Sequence, residues 1–143
     1  MSLFHLAIPV ANIAATKLFY CDYLGCQAGR ETPQALILNF YGHQLVAHTT
    51  AEPITPQKGI YPRHFGIVFS TLEDWQELLT RVKQAQIDFV VEPKLRFSGE
   101  ITEHWTFFIQ DPFANLLEFK FYSHPEAIFG SREFQSIGDR RQV

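Results

Sequence analysis

Residues 4–20 read FHLAIPVANIAATKLFY, and residues 63–79 read RHFGIVFSTLEDWQELL. The two stretches align without a gap when His64 is placed on His5, an offset of 59 residues (64 − 5). In each stretch a short apolar run predicts a buried strand, and a polar residue followed by helically spaced apolar residues predicts a capped helix. The chain therefore contains an internal repeat, and the repeated unit decides the fold.

Three strand-like segments follow each predicted helix, so each half of the chain is predicted to be a βαβββ module and the fold class to be α+β. The expected strands after the helices are 26–31, 35–41 and 44–48 in the first half, and 88–92, 104–110 and 115–122 in the second. We assign residues 1–51 to the first module, 52–63 to a proline-rich linker, 64–123 to the second module and 124–143 to a C-terminal tail. For the tail we expect a short helix and then a frayed end.

Composition and charge exclude several classes of protein. With 46% hydrophobic and 19% charged residues in 143, the chain can bury a core and is not intrinsically disordered. A net charge of −3 without a basic patch argues against nucleic-acid binding, and no apolar run reaches the length of a membrane span. Two cysteines, Cys21 and Cys26, are expected to pack rather than to form a disulfide framework, and no secretory signal is evident. These features favour a cytoplasmic protein.

Three residues form a candidate metal site. His5 and His64 occupy the same position of the repeated first strand, so a pseudo-two-fold axis would bring both side chains to one cavity. Glu118 lies in the apolar stretch LLEFKFY, where a buried carboxylate needs a charge partner or a metal. Two imidazoles and one carboxylate form a facial triad that suits Fe(II) or another divalent ion. The alternative is a core role for the histidines and a solvent-facing Glu118 paired with Lys120.

The motifs FHLAIPV, RHFGIVF and DPFANLLEF resemble those of the vicinal oxygen chelate superfamily, which includes glyoxalase I, type I extradiol dioxygenases, fosfomycin-resistance enzymes and bleomycin-binding proteins. The resemblance covers about residues 3–123. It implies a U-shaped mixed sheet formed by the two modules around a metal-binding cavity, with His5, His64 and Glu118 as the metal ligands. It also implies a homodimer, in which the site is shared between chains in some members of the superfamily.

Departures from the family patterns bear on the reaction. Glyoxalase I isomerases generally use a fourth protein ligand, and Val46 stands opposite Glu118 in the repeat, where it cannot ligate. Three ligands fit dioxygenases better, but Phe108 takes the position where ring-cleaving relatives have Tyr. His104 shares a strand face with Phe108 and is the candidate general acid–base residue, while Phe108 is expected to wall in the substrate.

The sequence thus predicts a metal-dependent enzyme, most like an extradiol-type dioxygenase, that chelates a small substrate through vicinal oxygens. Fe(II) is favoured as the cofactor, with Mn, Ni or Zn as alternatives. The other candidate functions are a glyoxalase I-like isomerase or lyase and a metal-free small-molecule binder of the bleomycin type. Residues 94–97 are expected to form a solvated loop, with a mobile lid as the alternative.

Overall fold

The computed structural model describes residues 1–141 of the chain, and of Arg141 only the backbone. The strands of the two modules are β1 (His5–Val10), β2 (Gln27–Thr32), β3 (Ala35–Phe40), β4 (His43–Thr49), β5 (Phe65–Val68), β6 (Phe89–Arg96), β7 (His104–Gln110) and β8 (Leu116–Tyr122). The helices are α1 (Ile13–Lys17), which continues as a π-helix (Leu18–Tyr23), α2 (Leu72–Gln84) and a 3₁₀ turn (Pro125–Ala127). Two short strands, β9 (Ser136–Ile137) and β10 (Arg140–Arg141), end the described chain. Among these helices none is both long and apolar enough to cross a membrane.

Both helices begin where the sequence predicts. The side chain of Asn12 accepts a hydrogen bond from the backbone of Ala15 at 2.7 Å, and the hydroxyl of Thr71 accepts one from the backbone of Asp74 at 3.1 Å. Each cap satisfies a backbone N–H that has no partner inside its own helix. The two βαβββ modules of the α+β fold are therefore confirmed.

Each module forms its own mixed four-stranded sheet, in the order β1-β4-β3-β2 for the first and β5-β8-β7-β6 for the second. The first strand of each module pairs in parallel with its last strand and lies at the sheet edge. Ala7 faces Val46 in the first sheet, and Gly66 faces Glu118 in the second. The offset of 59 residues between Ala7 and Gly66 reproduces the repeat, so Val46 and Glu118 are structurally equivalent.

One hydrophobic core joins the two modules. The indole of Trp75 on α2 donates to the carbonyl of Phe119 at 2.8 Å and packs against the apolar face of β7 and β8. Between modules, the buried hydroxyl of Tyr20 donates to the Asp111 carboxylate at 2.7 Å. The same carboxylate also accepts bonds from the backbone N–H groups of Phe113 and Asn115, so it ties the first helix to the β7–β8 turn.

Two expectations outside the core are wrong. Strand β6 continues to Arg96 rather than ending at residue 92, so residues 94–96 are not a loop. The tail does not fray after its short helix, because β9 and β10 pair as a hairpin, within which Asp139 bonds to Tyr61 of the linker. Residues 142–143 of the expected frayed end lie outside the described residues.

Candidate functional site

The site lies on one face of the second sheet. Register pairs Phe108 with Glu118 and Thr106 with Lys120, so these side chains point to the same side of β7 and β8. The opposite face carries the apolar side chains that pack under α2. Glu118 is only 5% exposed, so the alternative of a solvent-facing carboxylate is wrong.

The two oxygens of Glu118 have different partners. Oε2 accepts hydrogen bonds from the Thr106 hydroxyl at 2.6 Å and from Arg96 Nη1 at 3.1 Å. Oε1 lies 3.1 Å from Nε2 of His64 and 3.9 Å from Nζ of Lys120. Arg96 therefore supplies the charge partner that the buried carboxylate needs, and a metal is not required for that purpose. Oε1 is therefore the oxygen of Glu118 that remains available to bind a cation.

His64 is oriented by a bond on its far side. Its Nδ1 lies 2.7 Å from the carbonyl oxygen of Ile60, which can only accept, so Nδ1 carries the proton. In the tautomer with its proton on Nδ1, the lone pair of Nε2 is directed at Oε1 of Glu118. Two electron-rich atoms at 3.1 Å need a cation between them, either a proton on the ring or a metal ion. The distance fits a shared metal, because two ligands at about 2.1 Å and about a right angle are separated by about 3 Å.

His5 is not brought to this pair within one chain. It is exposed at the start of the edge strand β1, where its Nδ1 lies 2.7 Å from the amide oxygen of Gln44. Among residues 1–141 no group of three His, Cys, Asp or Glu side chains is placed to hold a metal ion. Within one chain each histidine lies at the edge of a different sheet. The meeting of His5 and His64 at one metal site stays a prediction, and the sequence leaves open whether they meet within one chain or across two.

Arg96 is the site residue that the sequence analysis missed. It is 5% exposed at the end of β6, opposite His104 in the register. Its Nη1 donates both to Glu118 and to Nε2 of His104, the latter at 3.2 Å. The sequence did contain a signal that Arg96 lies in a strand, because the apolar residues Leu95 and Phe97 flank it on both sides.

His104 is buried and reaches Glu118 only through Arg96. Its Nδ1 lies 3.0 Å from the carbonyl of Thr102, which leaves Nε2 to accept from the guanidinium. Burial lowers the pKa of His104 below its usual value, and the nearby Lys120 and Arg96 charges act in the same direction. The ring is therefore held neutral, and its role as a general acid–base residue stays a prediction.

Phe108 packs beside His64 and Arg96 and lines neither of the two cavities described below, so its contact with a substrate stays a prediction. The residue is fully buried, its ring packs edge-on against the ring of His64 at 4.9 Å, and the guanidinium of Arg96 lies 5.8 Å from its centre. A cavity of about 730 Å³ adjoins His64, bounded by residues 6–9, the linker and residues 114–116. A larger cavity of about 900 Å³ lies along Phe4 and residues 65–70 and includes none of the candidate ligands.

Comparison with known proteins defines the class. The family model described as the Glyoxalase/Bleomycin resistance protein/Dioxygenase superfamily matches residues 2–119, so the chain belongs to this superfamily. A glyoxalase/bleomycin resistance protein/dioxygenase from Alicyclobacillus acidocaldarius is 40% identical, with a TM-score of 0.84 over 90% of this chain and 96% of that one. No curated protein matches the chain.

Two further solved structures share the fold alone. A genomically encoded fosfomycin resistance protein from Listeria monocytogenes is 16% identical, with a TM-score of 0.68 over 89% of this chain and 98% of that one. A lactoylglutathione lyase from Agrobacterium tumefaciens is 18% identical, with a TM-score of 0.63 over 84% of this chain and 92% of that one. At these identities the likeness extends to the architecture and not to the reaction.

Proposed function

We propose that the chain is a metal-dependent enzyme that binds a small substrate through two vicinal oxygens. The observation that carries the proposal is the pair formed by Nε2 of His64 and Oε1 of Glu118, 3.1 Å apart, with the proton of His64 held on Nδ1 by Ile60. A metal-binding imidazole commonly donates its other N–H to a carbonyl in this way. His64 and Glu118 would hold the metal together with His5 of a second copy.

The surroundings of His5 support a shared site. The β1 strand is unpaired on its outer edge, and the neighbouring Phe4 is 63% exposed. Strand β5, which follows His64, is also an edge strand. An exposed apolar side chain beside a sheet edge favours association with another chain, although β1 and the start of β5 also line one cavity within the same chain. A homodimer that brings the β1 edge of one copy to the β5 edge of the other would complete the three-ligand set.

When bound, the metal would supply Lewis acidity, lowering the pKa of a substrate hydroxyl and stabilising oxyanion charge. The chain's own residues do the positioning. Thr106 and Arg96 hold Oε2 of Glu118, which leaves Oε1 directed towards His64. Phe108 packs edge-on against the His64 ring and limits its rotation.

The reaction we propose to test first is an extradiol-type dioxygenase reaction with Fe(II) as the metal. Mn, Ni and Zn are the other ions to compare. Three ligands leave room for two substrate oxygens and O₂. In this reaction His104 would exchange a proton with the substrate through Nε2. That atom is hydrogen-bonded to Nη1 of Arg96 at 3.2 Å, so the guanidinium would first have to move away. A glyoxalase I-like isomerase would need a fourth ligand, and Val46 occupies the equivalent position.

Metal content tests the site, and two assays test the reaction. The full chain, purified without chelators, is expected to hold close to one divalent ion per chain, and His5→Ala and Glu118→Gln are expected to lose it. His124→Ala, which removes an exposed histidine outside the two sheets, serves as the control and should retain the metal. Unchanged metal in both ligand variants contradicts the proposal. Oxygen consumption with catechols, against isomerisation of the methylglyoxal–glutathione adduct, separates the dioxygenase from the isomerase.

A second candidate function is metal-free binding of a small molecule, as in bleomycin-sequestering proteins. The ion pair between Arg96 and Glu118 favours it, because the buried carboxylate is already neutralised without a metal. In that case the purified chain would contain no stoichiometric metal, and adding Fe(II), Mn(II), Ni(II) or Zn(II) would not raise its unfolding temperature.

A further inference from the structure

The guanidinium of Arg96 has an unused side. Its Nη1 donates to Glu118 and to His104, but Nε and Nη2 have no hydrogen-bond acceptor among residues 1–141, and both atoms are buried. A buried donor without an acceptor costs about 1–3 kcal/mol, and more when the group is charged. Buried polar groups in native proteins are almost always paired, so two such donors on one side chain call for a missing acceptor.

The two free donors define the shape of that acceptor. Nε–H and the outer N–H of Nη2 lie on the same edge of the planar guanidinium and point in parallel. This edge accepts two oxygens of one anionic group, as in paired Arg–carboxylate and Arg–phosphate contacts. A single water fills only part of such a fork.

The charges around the fork also favour an anion. Arg96 and Lys120 are both close to Glu118, so two cations surround one carboxylate on this face of the sheet. In the tail, Asp139 has a pKa that is lowered mainly by its bond to Tyr61 and further by the charges of Arg96 and Lys94. The tail carboxylate thus lies in the field of Arg96 but bonds to Tyr61 instead.

We propose that the Nε–Nη2 edge of Arg96 is an anion subsite, and that the substrate is a small organic acid with a carboxylate or phosphonate group. The proposal rests on the proposed function for its location, since the subsite adjoins the Glu118 carboxylate that the metal would share. The fork itself does not depend on a metal. The anionic group would bind Arg96 while the vicinal oxygens bind beside His64.

Because both free donors are buried, the anion must enter past the residues that cover them. The Tyr61 ring lies 6.0 Å from the ring of His64, and its hydroxyl donates to Asp139, so the linker and the C-terminal hairpin lie beside the site. Asp139 then competes electrostatically with an incoming anion for the same cation. Asp139→Asn keeps an oxygen for the Tyr61 hydroxyl but removes the competing charge.

The test is binding of acetate and methylphosphonate to the full chain, measured by calorimetry and by the shift in unfolding temperature, with and without Mn²⁺. The wild type is expected to bind at least one of the two probes, and the stronger probe identifies the anionic group.

Arg96→Lys retains a cation for Glu118 but has no fork, and it should bind about tenfold more weakly or worse, since it loses the charge-assisted hydrogen bonds that the fork supplies. Asp139→Asn should bind more tightly than the wild type. Lys94→Gln, which removes an exposed cation from the same strand, is the control and should change affinity less than Arg96→Lys.

The outcomes separate the two proposals. Binding of Mn²⁺ without binding of either anion overturns the subsite and leaves the proposed function standing. Binding of an anion by a chain that takes up no Mn²⁺ supports the subsite and overturns the metal-dependent function. Equal affinity in wild type and Arg96→Lys overturns the assignment to Arg96, whatever the metal content. A folded Arg96→Lys variant, verified by circular dichroism, is required for either comparison.

Discussion

If the metal site is shared between two copies, variants damaged in different parts of it should complement each other. His5→Ala removes the ligand contributed by the first module, and Glu118→Gln removes one contributed by the second. Within one chain the structure keeps His5 apart from the His64–Glu118 pair, so each variant alone is expected to bind no metal. A heterodimer of the two would contain one site with both defects and one site with neither.

The size of the recovery follows from the arrangement. Equal amounts of the two variants, unfolded together and refolded, would give heterodimers as about half of all dimers, and one intact site in each heterodimer gives about one quarter of the wild-type metal content. A heterodimer isolated by two different affinity tags should contain about half of the wild-type metal per chain, since one of its two sites is intact. Metal is measured by elemental analysis after gel filtration.

Three results would refute this reasoning. If the mixture binds no more metal than either variant alone while gel filtration detects heterodimers, the three ligands do not come together across the dimer. If His5→Ala retains the wild-type metal content, His5 is not a ligand. A monomeric wild type that binds a full equivalent of metal would also exclude the shared arrangement.

Three further predictions concern the frame and the protonation of the site. Gly66→Ala should destabilise the fold by several kcal/mol and reduce metal binding, because a Cβ at this position would lie 1.6 Å from the carbonyl oxygen of Glu118; chemical denaturation measures the loss. Tyr20→Phe should lower the free energy of unfolding by about 1.5–3 kcal/mol, because the buried Asp111 carboxylate loses a charge-assisted bond. His104 has a lowered pKa in the folded state, so protonation favours unfolding as the pH falls below 6.5, and His104→Gln should lose less stability than the wild type between pH 7 and pH 5.

Each of these predictions has a matched control. Gly59→Ala should be nearly neutral, since a Cβ there meets no atom within 4 Å, and an equal loss at both glycines would contradict the steric argument. Tyr41→Phe removes a bond to a neutral carbonyl and should cost less than Tyr20→Phe, which bonds to a carboxylate. His124 is exposed, so His124→Gln should leave the pH dependence of stability unaltered, and a matching change would remove His104 as its source.

Much of the second module was predictable because its strands alternate. Strand β7 spans His104–Gln110 as expected, and its register with β8 puts Phe108 and Glu118 on the same face. Period-2 alternation alone decides which side chains share a face, so Glu118 separates from the apolar set that packs under α2. The helix caps were predictable for a similarly local reason.

The end of β6 was not predictable from the same rules. From the sequence this strand was expected to end at residue 92, but β6 is the outer strand of its sheet, contains Pro93 and has an irregular register between Val91 and Lys94. An edge strand with a bulge accepts a proline, because no neighbour requires its missing N–H. The strand therefore continues to Arg96, and the buried arginine of the site was assigned to a loop.

The amino-acid sequence by itself determined the repeat, the βαβββ modules and the position of one histidine at the start of the first strand of each module. These features follow from local periodicity and capping, which act over a few residues. Only the tertiary structure decided which groups meet at the site: Arg96 and Thr106 on Glu118, His64 on its other oxygen, and His5 apart at another sheet edge. Such contacts depend on strand order and on how two modules pack, and no spacing along the chain encodes the distance between two sheet edges.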